Sequence, residues 1–189
     1  MKYDRRQFAS AFDGWRKQME EFSLPQWGDF PRLELYMDQV TMLVNQYLSA
    51  FDLDKTSENA VTPAMINNYV KMKIVPAPVK KRYTRIHLAY LVMVCTLKQT
   101  LSMEMIRKLL PVDLDEEEMR VAYQTFVCNQ KKTFELLLDL LDKEPFIALE
   151  DGELADVRDL VLQSAIFSNL SRTLTRMMLT LQEKEENCE

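Results

Sequence analysis

Prolines fall only where a helix would have to begin or end, and three glycines leave little material for tight hairpins. Pro25, Pro31, Pro63, Pro76, Pro78, Pro111 and Pro145 cut the 189-residue chain into blocks. Proline lacks the backbone donor and clashes with the preceding turn, so it is tolerated at a helix start or outside a helix. Inside the blocks apolar residues recur at three- and four-residue spacing, the period of one helix face. The expectation is an all-α protein. Its length suits one core, or a small domain with an appended dimerisation element.

Phe8, Ala11, Phe12, Trp15, Met19 and Phe22 predict an amphipathic helix over residues 5–22, followed by an aromatic connection through Trp27, Phe30 and Pro31. A second helix is expected from Leu33 to Phe51, burying Tyr36, Val40, Leu43 and Tyr47, with a polar loop from Asp52 to Ala60. The third has clear start signals. Thr62 suits the N-cap, Pro63 the first helical position, and Val61 with Ile66 a hydrophobic staple. Ile66, Tyr69 and Val70 should face inward, and Ala64, Asn67, Asn68 and Lys71 outward.

Pro76 and Pro78 then impose an extended segment, Val79 to Tyr83. Thr84 caps a helix from Arg85 to Gln99 whose middle is apolar nearly all round, so it should be the buried centre. Ser102 opens a short helix ending before Pro111. Asp113 to Glu118 is an acidic start, favourable at the positive end of a helix dipole, for a helix to about Lys143. Ala122, Phe126, Phe134, Leu137 and Leu141 should form its packed side. After a break containing Pro145, a last helix carries Leu154, Val157, Val161, Leu170, Leu174, Met177 and Leu181. The division expected is 1–31 as helix and aromatic connection, 32–111 as central domain, and 112–189 as a C-terminal helical region for dimerisation or effector binding.

Charge is distributed unevenly. Between Asn59 and Met103 there is no Asp or Glu, yet Lys71, Lys73, Lys80, Lys81, Arg82, Arg85 and Lys98 all fall there, in a chain whose net charge is −5. A cationic segment in an acidic protein is a footprint for a polyanion, because each neutralised phosphate releases counterions. Asn can pair bidentately with adenine and Ala can touch a thymine methyl, so Ala64, Asn67, Asn68 and Lys71 are suited to base edges. Lys80, Lys81, Arg82 and Arg85 would then hold phosphates. The plainer reading is a solvated loop and an Asn pair used for turns. Length of the acid-free run favours DNA.

Other chemistry finds little support. His87 is the single histidine and has no Cys pair or nucleophile turn beside it, so a zinc site or a Ser–His–Asp triad is not expected. No P-loop or GxGxxG is present. Cys95, Cys128 and Cys188 have no metal-ligand spacing, no apolar run spans a membrane, and the N-terminus lacks a signal-peptide core. The expectation is a cytoplasmic protein that is not an enzyme, with no cofactor, no metal and no membrane contact. His87 reads as a locally bonded helix-start residue rather than a phosphate contact or pH sensor. Cys95 and Cys128 read as small hydrophobes rather than redox switches, and Trp15, Trp27 and Phe30 as core rather than an effector pocket.

The stretch Met65-Ile66-Asn67-Asn68-Tyr69-Val70-Lys71-Met72-Lys73-Ile74-Val75-Pro76 resembles the recognition helix and exit of the MerR-type winged helix-turn-helix. Arg82-Tyr83-Thr84 resembles that superfamily's wing-to-helix junction, and Leu101 to Leu110 the short helix that follows. A closer resemblance is to the YkrK-like bacterial domain-of-unknown-function family, through residues 62–71, 78–83 and 35–40. This implies a MerR-like winged helix-turn-helix with a short β wing, embedded in a helical bundle. It implies a sequence-specific DNA-binding transcriptional regulator, a repressor, acting as a homodimer on a palindromic operator. The helix 62–73 and the basic wing 79–85 would read double-stranded DNA.

On that resemblance Tyr69 would sit near a phosphate and Asn67 where the superfamily often has Arg. The site set is Ala64, Asn67, Asn68, Tyr69, Lys71, Lys73, Lys80, Lys81, Arg82, Tyr83 and Arg85. Lys73 stands where that superfamily usually has Gly to end the helix in a left-handed conformation; either Lys73 adopts it at a cost of about 1 kcal/mol or the helix ends differently. The other classes carried forward are a protein-interaction adaptor that does not bind DNA and a helical sensor of an unknown small-molecule effector.

Overall fold

The computed structural model describes residues 5–49, 60–143 and 157–186. Seven α-helices occur among them: α1 (Arg5–Glu21), α2 (Met37–Tyr47), α3 (Pro63–Lys71), α4 (Arg85–Leu97), α5 (Met103–Leu109), α6 (Glu116–Lys143) and α7 (Val157–Glu186). One 3-10 turn, Trp27–Asp29, lies between α1 and α2. The only β structure among the described residues is two isolated antiparallel bridges, Leu35 with Tyr83 and Val79 with Arg82. No helix among these residues is long and apolar enough to cross a membrane.

The chain forms two compact units, Phe22–Lys131 and a second made of Met1–Glu21 with Lys132–Glu189. In the first, α4 is the axis. Every residue from His87 to Cys95 is buried, so no face is left for water and other elements must surround it. Leu24, Trp27 and Phe30 from the aromatic connection, Val40 and Val44 from α2, Ile66 and Tyr69 from α3, Ile106 from α5, and Met119, Tyr123 and Val127 from α6 share its core. Tyr123 donates a 2.9 Å hydrogen bond to the Pro25 carbonyl, closing 98 residues of chain. The unit therefore reaches beyond residues 32–111 on both sides.

Helix starts form as their side chains dictate. The Thr62 hydroxyl accepts from the Met65 amide (3.3 Å), and the Ser102 hydroxyl from the Met105 amide (3.3 Å). Asp115 accepts from the amides of Glu117 and Glu118, and the Glu118 carboxylate accepts in return from the Asp115 amide, all at 2.9 Å.

Three expectations are corrected. The second helix begins at Met37 rather than Leu33, because Leu35 pairs its backbone with Tyr83 and Tyr36 stays extended (φ −88°, ψ 162°). Tyr36 is consequently 53% exposed instead of buried, while Val44 takes a core position. Phe51 and most of the loop after it lie outside the described residues, as do the Pro145 break and Leu154. On α6 the buried stripe is Met119, Tyr123 and Val127, with Ala122 and Phe126 only at its margin, because the core lies along the first turns.

In the second unit Phe12 and Trp15 of α1 pack with ring centroids 5.7 Å apart, and Met19 is buried. Along α7, Val161, Ile166, Phe167, Leu170, Leu174 and Met177 are all exposed.

Truncating Met119 to Ala should cost about 2–5 kcal/mol by leaving a core cavity. Leu136→Ala, on the exposed side of the same helix, should change stability by less than about 0.5 kcal/mol. Urea unfolding midpoints of the two variants check the assignment.

Candidate nucleic-acid interface

Asn45 fixes where α3 begins. From α2 its side-chain amide donates to the Val61 carbonyl (2.9 Å) and its oxygen accepts from the Val61 amide (2.7 Å). A side chain thus replaces a strand partner and holds the residue before the Thr62 cap. Ile66 and Tyr69 then anchor α3 inward, which leaves Ala64, Asn67, Asn68 and Lys71 exposed on its other face. The Asn68 amide nitrogen lies 3.6 Å from the Met72 sulfur one turn on.

Beyond Lys71 the helix takes the left-handed ending, one of the two that the sequence left open. Lys73 has φ 55°, its amide donates to the Val70 carbonyl (3.0 Å) and the Ile74 amide to the Tyr69 carbonyl (3.0 Å). This is a left-handed helix stop formed without glycine. Ile74 and Val75 follow it into the core.

The extended segment expected over 79–83 contains a reversal. The Arg82 amide donates to the Val79 carbonyl (2.9 Å), and both residues between them have positive φ, Lys80 at 50° and Lys81 at 61°. Two consecutive positive values define a type I′ turn, which normally uses Asn-Gly. Two lysines there are strained by roughly 1–2 kcal/mol each. Packing on either side holds them, since Ile74 and Val75 lead in and Tyr83 leads out, all buried.

Lys71, Lys73, Lys80 and Lys81 are exposed, and none forms an ion pair among the described residues. Arg82 is half-buried, its guanidinium carbon 3.8 Å from the centre of the Tyr36 ring. Three members of the expected set stand elsewhere. Tyr69 is 3% exposed, and the Cys95 thiol of α4 is its neighbour. Burial, then the neighbouring thiol, pushes the Tyr69 hydroxyl well above the usual tyrosine range. Tyr83 is also 3% exposed, with its ring edge-on to His87 at 5.3 Å, and burial raises its hydroxyl too. Arg85 lies 5.5 Å from the Trp27 ring and 3.6 Å from Glu116, linking the start of α4 to the start of α6. Each is held by the core, so the open surface is smaller than the sequence set.

His87 is the third residue of α4, and its Nδ1 accepts from the Thr84 amide at 3.0 Å. That bond puts the neutral ring's proton on Nε2, which is buried without a hydrogen-bond partner. Burial lowers the His87 pKa, and the Ala77 backbone acts in the opposite direction. Cys95 behaves as a buried hydrophobe, its thiol pushed up to about 11 by burial. Cys128 is exposed, contrary to its expected apolar surroundings. Trp27 and Phe30 pack with Tyr123 and, for Phe30, with Tyr47, as core residues; Trp15 belongs to the other unit.

The fold and its exposed basic residues define a mostly helical protein with a lysine-bearing turn and a short polar helix face. A family model described as a domain of unknown function (DUF1836) matches residues 25–126, more than half of the chain, and the chain belongs to that family. Comparisons with curated proteins and with solved structures return no match. The matched segment contains α2 to α5, the turn and the exposed α3 face. Sequence reasoning missed Tyr36 and Asn45. The available signal was Tyr36 beside an inward-facing Leu35, and an amide on the same helix face as Val44.

Replacing Lys80 with Asn and Lys81 with Gly should raise stability by about 1 kcal/mol, because these residues accept positive φ without the steric penalty. Denaturant midpoints read this directly. Stability should fall as pH drops from 7 through the ordinary histidine value near 6.5, because the unfolded chain takes up a proton the buried ring resists. With one histidine in the chain, His87→Gln should flatten that slope between pH 7 and 5.5.

Proposed function

We propose that this protein is a sequence-specific DNA-binding transcriptional regulator, a repressor, whose α3 and 79–82 turn form a MerR-like winged helix-turn-helix. The observation that carries the reading is the pair Lys80–Lys81, unpaired cations held in a left-handed turn where uncharged residues would cost less. A turn that keeps charge against backbone strain is suited to a polyanion. Lys71 and Lys73 at the end of α3 extend the same charge toward the exposed Asn67 and Asn68. The remaining resemblance, including the YkrK-like one, agrees with this order of helix, turn and helix.

Phosphate contacts by the lysines would supply affinity and register, and Asn67 or Asn68 would supply base choice. Ala64 would offer a methyl-sized contact. Palindromic operators require a twofold protein, and the exposed apolar residues of α7 support a homodimer built from two copies of that helix.

Binding to a labelled fragment of the protein's own upstream region, with excess random duplex at two salt concentrations, tests the reading. Specific binding should survive the competitor. Asn68→Ala should then lose about 1–3 kcal/mol of sequence discrimination. Lys81→Ala should weaken all duplexes alike and lower the salt slope by about one. Wild-type behaviour from both variants overturns this docking geometry. No duplex binding at either salt overturns the function and turns the search to an adaptor's protein partners.

A further inference from the structure

Leu35 and Tyr83 exchange both backbone hydrogen bonds, at 2.8 and 2.9 Å, and both side chains are buried. In antiparallel pairing the next residues lie directly opposite one another and point to the other face. Those residues are Tyr36 and Arg82. Arg82 is in turn bridged to Val79 across the turn, so one outward row runs Tyr36, Arg82, Val79. Both flanking residues are exposed apolar groups, Tyr36 at 53% and Val79 at 73%, and Arg82 stacks on the Tyr36 ring at 3.8 Å.

Stacking has a chemical consequence. It occupies one flat face of the guanidinium and leaves the in-plane N–H groups at its edge, the fork that matches two oxygens of one phosphate. Arg82 makes no ion pair with an acidic residue among the described residues. Lys80 and Lys81 next to it are flexible point charges that cannot supply this geometry. The apolar ring edge and the Val79 side chain offer surface to the sugar that neighbours a backbone phosphate.

Resting on the DNA-binding reading above, we infer that this row is a phosphodiester clamp: Arg82 takes one backbone phosphate bidentately, Val79 contacts its deoxyribose, and Tyr36 is the positioning residue for Arg82. Tyr36 was outside the expected site, and Val79, though within the expected wing 79–85, was not among its named contact residues. The clamp adds affinity without sequence choice, because a phosphate carries no base information.

The test uses the full chain and a labelled mixed-sequence duplex titrated over a range of salt, so it needs no operator. Arg82→Ala should lower the slope of log K against log salt by about one. Arg82→Lys should keep the slope, because the charge remains, yet bind more weakly than wild type. Tyr36→Phe, which keeps the ring, should bind as wild type does. Tyr36→Leu should bind about two- to fivefold more weakly, the range expected for an exposed cation–π contact. In an Arg82→Ala background the Tyr36→Leu change should cost nothing further.

An undiminished affinity in Tyr36→Leu, or the same loss with Arg82 already removed, overturns the positioning role while leaving DNA binding in place. A wild-type protein with no salt-dependent duplex binding overturns both readings together. Unfolding midpoints measured on each variant separate lost binding from lost fold.

Discussion

A helix that is apolar around its whole circumference cannot lie at a surface, and α4 sets that condition for the unit Phe22–Lys131. Nine consecutive residues, His87 to Cys95, are buried. Burial of each large side chain in that run contributes roughly 1.5–3 kcal/mol, so α2, α3, α5 and the first turns of α6 are drawn around it. Most of its polar groups find partners, His87 Nε2 being the exception. Thr84 and His87 satisfy the start, and the Tyr90 hydroxyl donates to the Pro111 carbonyl. Burial, above all, raises the Tyr90 hydroxyl to about 12, so it remains a donor at any physiological pH.

The exposed basic surface follows from that packing. Just before α4 starts at Arg85, Leu35 provides the backbone partner that holds Tyr83 inside. The reversal at Lys80 and Lys81 is then the short way from Val75 to Tyr83 with both ends buried. Asn45 performs a similar service for α3 by binding both backbone groups of Val61. Side chains on rigid neighbours therefore fix the α3 face and the turn, a requirement for any surface that must present several groups in register.

Electrostatics sorts the cations of the acid-free segment into two groups. Arg85 is taken up by Glu116 and the Trp27 ring, which serves the joint between α4 and α6. Lys71, Lys73, Lys80 and Lys81 are left with solvent, and Arg82 with an aromatic face. Exposed ion pairs are worth little to stability, so leaving the lysines unpaired costs the fold almost nothing. The backbone strain at the turn is the larger penalty, and it falls on two exposed lysines.

Local chemistry was legible from the sequence wherever the cause lay within a turn or two. Thr62 with Pro63, and Ser102, mark helix starts because a cap is a contact between near neighbours, and the acidic run Asp113 to Glu118 marks the start of α6. The buried α4 was legible from its continuous apolar run, whereas the sequence left open whether Lys73 ends its helix left-handed, as it does. Contacts between distant residues decided the rest. Tyr69 and Tyr83 turn inward because α4 offers apolar surface and a thiol, Tyr36 turns outward because Leu35 pairs with Tyr83, and the α6 stripe is set by where the core ends. A sequence fixes its own periodicity and caps, since these depend on neighbours along the chain. Which face of a tyrosine meets water depends on what the folded chain brings beside it.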